Sequence, residues 1–253
     1  MMPVGCIDIR NKSNCGEDNW MITALIIAGG VGKRMGQEIP KQFISVEGKP
    51  ILIYTIESFE NHPMIDRILV VVKQGWEDAL WKYVEKYELT KVKWVITGGN
   101  KGQESINNGV QFLKSFSQPD DTVVIHDGIR PLVDDLVLSD VIVKSLEYGN
   151  AVSSLPYNEQ IFIKKTDEST DSYIDRNTLQ RVMTPQAYKF KKLVWAYDTA
   201  TEANIGMTES SYTNTMMVEL GETLYFSAGS EKNIKLTHPE DIELFRALLK
   251  AKK

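Results

Sequence analysis

A regular alternation of short apolar runs and amphipathic stretches constrains this chain more than any other feature. TALIIAGG (Thr23–Gly30) is a brief apolar run ending in glycines, as a parallel strand buried on both faces does. PILIYTIESFENHP has apolar residues at helical spacing and stops at His62-Pro63. DRILVVVK then reads as a strand and WEDALWKYVEKYEL as an amphipathic helix. KVKWVITGG and DTVVIHDG are further strands, followed by the helices QESINNGVQFLKSF and DLVLSDVIVKSLEYG. This β-α-β-α order predicts an α/β fold with a doubly wound, mainly parallel sheet. Such sheets bind ligands beyond the carboxyl ends of their strands. Those ends carry Gly29-Gly30, Gly98-Gly99 and His126-Asp127.

The rhythm changes after AVSSLPY. EQIFIKK and DSYIDR flank TDEST, and together they predict a β-hairpin arm over about residues 156–177. An isolated two-stranded arm is marginal in water, so docking on a second copy, a homodimer, is expected. A helix is predicted over AYKFKKLVWAYDTATEA, then a strand over TLYFSAG. A last helix from His238 is capped by the box Thr237-x-x-Glu240. Residues 1–22 form a polar leader, expected to be disordered, ahead of a single domain over 23–253. Both cysteines, Cys6 and Cys15, fall in the leader, where a disulfide would staple nothing; a reducing cytoplasm is the expected setting. The leader lacks the pattern of a signal peptide, and no apolar run approaches membrane-spanning length. A net charge of −5 argues against nucleic-acid binding by general phosphate neutralisation, so any anion site must be local.

One local concentration of positive charge stands out: ALIIAGGVGKRMGQEIPKQF gathers Lys33, Arg34 and Lys41 beside a glycine-rich turn. The dinucleotide fingerprint G-x-G-x-x-G starts at Gly30 and Gly32 but fails at Met35, and the second strand ends in Lys73-Gln74 rather than an acidic residue. The Walker pattern fails because Arg34, not Ser or Thr, follows Gly32-Lys33. What remains is a turn whose backbone N–H groups can approach phosphates, supplemented by a guanidinium and an ammonium. That set suits a triphosphate; the competing explanation is a solvated surface.

AGGVGKRMG…PKQF is followed in order by GG…S…NG, HDGIRP, DR…TPQ and NIKLTHPED. Over about residues 23–250 this resembles the methylerythritol-phosphate cytidylyltransferases and their sister ribitol-5-phosphate cytidylyltransferases. The resemblance implies a Rossmann-like nucleotidyltransferase fold and transfer of CMP from CTP to a polyol phosphate, with release of pyrophosphate. It implies that Ala28, Gly29, Gly30 and Gly32 wrap the CTP phosphates, and that Arg34, Lys41 and Lys235 are the catalytic cations. Gly98, Gly99, Asn100 and Ser105 would read cytosine and ribose. Asp127 would bind Mg²⁺, with Glu231 as a second metal contact. Asp127, Arg130, Arg176 and Thr184 would surround the polyol phosphate, with Arg176 delivered by the partner's arm.

The residue types agree with such chemistry, because phosphoryl-type transfer needs positioning and charge neutralisation more than covalent catalysis. Each residue also has a plainer role open to it. Asp127 could cap a helix, Arg130 could pair with Asp134 or Asp135, Lys235 could be an exposed strand residue, and His126 reads as structural. The acceptor half departs from the family at Glu159-Gln160, Lys101-Gly102, Lys232 and Thr213-Asn214-Thr215. These changes favour a ribitol- or glycerol-type phosphate, destined for a cell-wall or capsule precursor, over the isoprenoid intermediate. The rivals are a sugar-phosphate nucleotidyltransferase using another NTP, and a nucleotide-binding regulatory subunit without turnover.

Overall fold

The computed structural model of the chain describes residues 20–30, 39–206 and 212–251. Its first strand, β1 (Ile22–Ala28), is apolar but for the buried Thr23, and successive side chains enter two different cores. Ile22, Ala24, Ile26 and Ala28 join one cluster, while Leu25 joins another on the opposite face. A strand buried on both faces cannot show an apolar/polar alternation, which explains its hydrophobic run.

After β1 a small hairpin, β2 (Ser45–Val46) and β3 (Lys49–Pro50), turns through Glu47 and Gly48, both at positive φ. Then follow α1 (Ile51–Asn61), β4 (Arg67–Val72), α2 (Glu77–Lys86), β5 (Val92–Thr97), α3 (Gly102–Leu113), β6 (Thr122–Asp127) and α4 (Asp135–Tyr148). The second half comprises β7 (Asn150–Pro156), β8 (Ile161–Lys164), β9 (Thr170–Ile174), β10 (Gln180–Lys189), α5 (Phe190–Ala203), α6 (Thr213–Glu219), β11 (Phe226–Ala228) and α7 (Pro239–Ala251).

The main sheet has seven strands in the order β11-β7-β10-β6-β1-β4-β5. β1 pairs in parallel with both β4 and β6, so the chain reverses its direction of winding at β1. The crevice at such a switch point, outside the carboxyl ends of the strands, is where this architecture accommodates a ligand. Gly29 and Gly30 leave β1 into that crevice. Helices α1, α2 and α4 cover one face through the Ile53, Leu80 and Val141 cluster. Helices α3, α5 and α6 cover the other through Val110, Leu193 and Met216. A third cluster, including Ile44, Leu132, Leu236 and Phe245, fastens α7 beside the small hairpin.

The expected α/β order and mainly parallel sheet are present, and three details differ from expectation. Residues 20–22 of the expected leader belong to the body: Ile22 opens β1, Trp20 packs against the core, and Met21 N–H donates to Asp121 Oδ1 at 2.8 Å. Residues 1–19 lie outside the described residues. The helix expected from Ala187 starts at Phe190, because Ala187–Lys189 complete β10, the one strand antiparallel to both its neighbours, β6 and β7. The α7 cap comes from Asp241 instead of Glu240. Asp241 Oδ2 accepts from the Thr237 and His238 N–H groups, both at 2.7 Å. Those bonds hold the Asp241 carboxyl below its ordinary range against a burial effect that acts the other way.

The arm is a two-stranded antiparallel sheet, β8 with β9, standing apart from the main sheet. Phe162 is 58% exposed and Tyr173 67%, with Ile163 and Ile174 beside them. Among the described residues no helix is long and apolar enough to cross a membrane.

Candidate functional site

The floor of the switch point is built from backbone brought unusually close together. The Ser105 hydroxyl, on the first turn of α3, accepts from Gly99 N–H at 3.1 Å and donates to the Lys101 carbonyl at 3.0 Å. A Cβ on Gly98 would stand 2.8 Å from that hydroxyl oxygen and 3.3 Å from the Val72 carbonyl; one on Gly29 would stand 2.9 Å from the hydroxyl. The ends of β1 and β5 therefore approach α3 only because both positions lack side chains. Opposite, the short helical turn Lys41–Phe43 buries Gln42, whose amide donates to the carbonyl of Ala28 and to that of Gly30 at 3.1 Å. That single side chain ties the glycine strip to the segment carrying Lys41.

The charged centre lies at the end of β6. Asp127 Oδ2 meets Arg130 Nε and Lys235 Nζ, each at 3.1 Å. Arg130 also donates to the Asn233 carbonyl at 2.7 Å, and Asn233 donates from its amide to the Thr184 carbonyl at 2.7 Å. Thr184 Oγ1 in turn accepts from Asp127 N–H at 3.2 Å. Burial by itself would raise the Asp127 pKa, but Lys235 and Arg130 together outweigh it and hold the carboxyl at about 2. Asp127 is therefore a carboxylate at any physiological pH. His126, its neighbour, is fully buried and donates from Nε2 to the Arg130 carbonyl at 3.1 Å. Burial pushes its pKa down to about 4, so the ring is neutral and structural.

These groups border a cavity of about 250 Å³. Of the residues the sequence singled out, Ala28, Gly30, Lys41, Asp127, Thr184 and Lys235 line it. Gly29, Gly98, Gly99 and Ser105 shape the backbone under its edge, and Asn100 donates its N–H to Glu104 Oε2 on the exposed side. Arg130 and Glu231 line an adjoining hollow that shares Lys235 with the cavity. The Glu231 carboxylate is engaged there by Arg181, away from Asp127. Arg176 sits at the base of the arm, exposed, donating to the Asn158 carbonyl at 3.1 Å. Gly32, Lys33 and Arg34 lie outside the described residues.

Sequence reasoning missed Gln42, Gln103, Gln186 and Tyr212, which also line the cavity together with Thr213, one of the acceptor-half departures. Gln42 and Gln186 stand inside the PKQF and TPQ motifs, but an uncharged amide carries no signal of its own there. Arg130 pairs with Asp127 instead of Asp134 or Asp135, because Asp134 is occupied as the α4 N-cap, accepting from Val137 N–H at 3.0 Å.

The family model of IspD, 2-C-methyl-D-erythritol 4-phosphate cytidylyltransferase, matches residues 22–251. The chain belongs to this family. Within the IspD family, a ribitol-5-phosphate cytidylyltransferase of Lacticaseibacillus paracasei is 66% identical over 92% of this chain and 99% of its own length. A 2-C-methyl-D-erythritol 4-phosphate cytidylyltransferase of Clostridium acetobutylicum is 37% identical over 91% of this chain and 98% of its own. Among solved structures, the 4-diphosphocytidyl-2C-methyl-D-erythritol synthase of Anaerococcus prevotii shares the fold, with a TM-score of 0.77 and 23% identity over 91% of this chain and 96% of that one. The Thermus thermophilus 2-C-methyl-D-erythritol 4-phosphate cytidylyltransferase superposes with a TM-score of 0.70 and 26% identity over 90% of this chain and 98% of that one. The IspD-family chain described here is thus a CTP-dependent cytidylyltransferase.

Proposed function

We propose that the protein transfers CMP from CTP to ribitol 5-phosphate and releases pyrophosphate. The observation that carries the chemistry is the convergence of Lys41, Asp127 and Lys235 on one cavity at the switch point. The choice of acceptor is supported by the 66% identity to a ribitol-5-phosphate cytidylyltransferase. It is supported too by the departure at Thr213, buried on the cavity wall, since rejecting one hydroxyl pattern in favour of another requires particular buried polar partners.

In this reading an oxygen of the ribitol phosphate attacks the α-phosphorus of CTP. The bond to the β-phosphate breaks, and pyrophosphate leaves with the electron pair. The attacking phosphate is already ionised, so no general base is needed, and neutral, buried His126 is not asked to act as one. The difficulty is bringing two anions together. Lys235, held against Asp127, offsets charge on the acceptor side, while Lys41 and Arg34 receive the charge that develops on pyrophosphate. The glycine strip held by Gln42 lets backbone N–H groups face the phosphates.

A nucleotide-bound Mg²⁺ keeps several waters and asks for only one or two protein carboxylates. Asp127, ionised and at the cavity wall, fits that demand; Glu231, paired with Arg181, does not. When bound, the ion would help neutralise the triphosphate.

We also read residues 23–253 as one nucleotidyltransferase domain that works in the cytoplasm as a homodimer. Support for the dimer is the apolar load that the arm leaves in water, and in this reading the partner's arm would deliver Arg176 to the cavity. The test is pyrophosphate release from CTP, UTP, ATP and GTP against ribitol 5-phosphate, 2-C-methyl-D-erythritol 4-phosphate and glycerol 3-phosphate. Preference for CTP with ribitol 5-phosphate is expected. A higher kcat/KM with the methylerythritol acceptor, or CTP binding without release under every acceptor, would overturn the reading.

A further inference from the structure

Two glutamines line the cavity with their side-chain carbonyls held by buried tyrosines, and they differ in one respect. Tyr197 donates to Gln103 Oε1 at 2.9 Å, and Gln103 Nε2 donates onward to the Gly206 carbonyl at 3.3 Å. Both ends of that amide are used within the protein. Tyr188 likewise donates to Gln186 Oε1 at 2.9 Å, but Gln186 Nε2 donates to no protein acceptor among the described residues. Nor is it sealed in. The buried side-chain atoms without partners are Thr122 Oγ1, His126 Nδ1, Ser227 Oγ and Asn233 Oδ1. The Gln186 nitrogen therefore reaches open space, and the space against this residue, which is only 5% exposed, is the cavity.

A primary amide carries two N–H donors, and a nitrogen that opens onto a cavity while its carbonyl is held is available to a ligand there. Placement says which ligand. Gln186 lies on β10 opposite Ile125 of β6. The same strand carries Thr184, which accepts from Asp127 N–H. Ile125 is two residues from Asp127 on β6, so Gln186 joins the cavity wall close to its Asp127 end. The phosphates there are met by cations; a neutral amide suits an uncharged oxygen.

We propose that Gln186 is a binding contact for the acceptor, donating from Nε2 to a hydroxyl oxygen of the polyol, with Tyr188 as its positioning residue. This rests on the cytidylyltransferase reading above. Hydroxyl oxygens are what a polyol phosphate offers besides its phosphate, and an oriented, largely buried donor is the kind of group that can hold one.

The test compares Gln186→Met, which keeps the length of the side chain and removes the donor, with Tyr188→Phe, which removes only the pin. KM for ribitol 5-phosphate and for CTP would be measured separately by pyrophosphate release, with thermal melting of each variant. Loss of one neutral hydrogen bond is expected to raise the acceptor KM about tenfold in Gln186→Met and leave the CTP KM within about twofold. Tyr188→Phe should raise the acceptor KM by about twofold to threefold, since the donor remains but is less well aimed. Gln186→Asn, which withdraws the amide by one methylene, should give the same acceptor-only rise and covers a Met variant that fails to fold. An unchanged acceptor KM, an equal rise for both substrates, or an effect of Tyr188→Phe as large as that of Gln186→Met would overturn the proposal. A wild-type protein inactive with ribitol 5-phosphate would instead refute the acceptor assignment; an active wild type with indifferent variants refutes Gln186 alone.

Discussion

Replacing Asp127 with Asn removes one negative charge from between two cations while keeping the shape of the side chain. In the wild type both Arg130 Nε and Lys235 Nζ stand 3.1 Å from the same carboxylate oxygen, with the side chain about a quarter exposed (24%). The carboxyl is held at about 2 against an ordinary value of 3.8. That depression means the folded state binds the ionised form more tightly than the unfolded chain does. At pH 7 the difference is worth about 2 kcal/mol, an upper figure given the remaining exposure. Because the folded value is the lower one, this stability is complete above the unfolded pKa and is lost as pH falls through the folded one. The gap between wild type and Asp127→Asn should therefore be full at pH 5 to 7, about half as large near pH 3, and nearly closed at pH 2. Urea unfolding at a series of pH values reads this directly, and for a chain of this size a loss of about 2 kcal/mol lowers Tm by roughly 4–8 °C at pH 7. A gap that stays constant from pH 7 to pH 3 would show that the variant acts through packing, and the charge-pair explanation would be wrong.

His126 supplies a second, separable acid limb. Burial depresses its pKa to about 4, so wild-type stability should decline as pH falls from about 6.5 to 4, by an amount of order 3 kcal/mol. In His126→Phe, which can still pack on Phe59, that limb should vanish from the urea profile, and its persistence would assign the limb to another group. Arg34→Ala should lower kcat by at least about 10²-fold with little change in folding, the scale of losing one charged transition-state contact. A decline of less than threefold would remove Arg34 from the reaction. Arg176→Ala should raise the acceptor KM while CTP binding, measured by calorimetry, holds steady; an unchanged acceptor KM would detach the arm from the site.

The site was partly legible in the chain because some of its chemistry is written in charge and glycine. Lys41 stood out by its charge and Asp127 by its strand-end position, Lys235 came only with the family resemblance, and Gly29 and Gly98 marked strand ends where backbones approach. The glutamines were not legible as functional, since an amide has neither a charge nor a periodic signature, and its meaning depends on what holds its other end. Gln42 became a tie for the glycine strip only when Lys41–Phe43 folded against the end of β1. Gln186 became a half-satisfied donor only when Tyr188 took its carbonyl. Glu231 was singled out by its adjacency to the NIK motif, and only the fold pairs it with Arg181.

The order of local elements belonged to the sequence alone. Runs such as LIIA and ILVVV can be buried on both faces, the helical stretches carry one apolar side, and glycine or proline stops most of them, so near-neighbour physics determines the β-α-β-α alternation. Which strands lie side by side is a different matter. β10 inserts antiparallel between β6 and β7, and that placement brings Thr184 and Gln186 against the end of β6. Lys235 reaches Asp127 because α7 and the strand ends share the Ile44–Phe245 cluster, a contact set by burial across the whole molecule. Local spacing records which face of a segment is apolar, but only the packed fold decides what that face meets, and the cavity is made of those meetings.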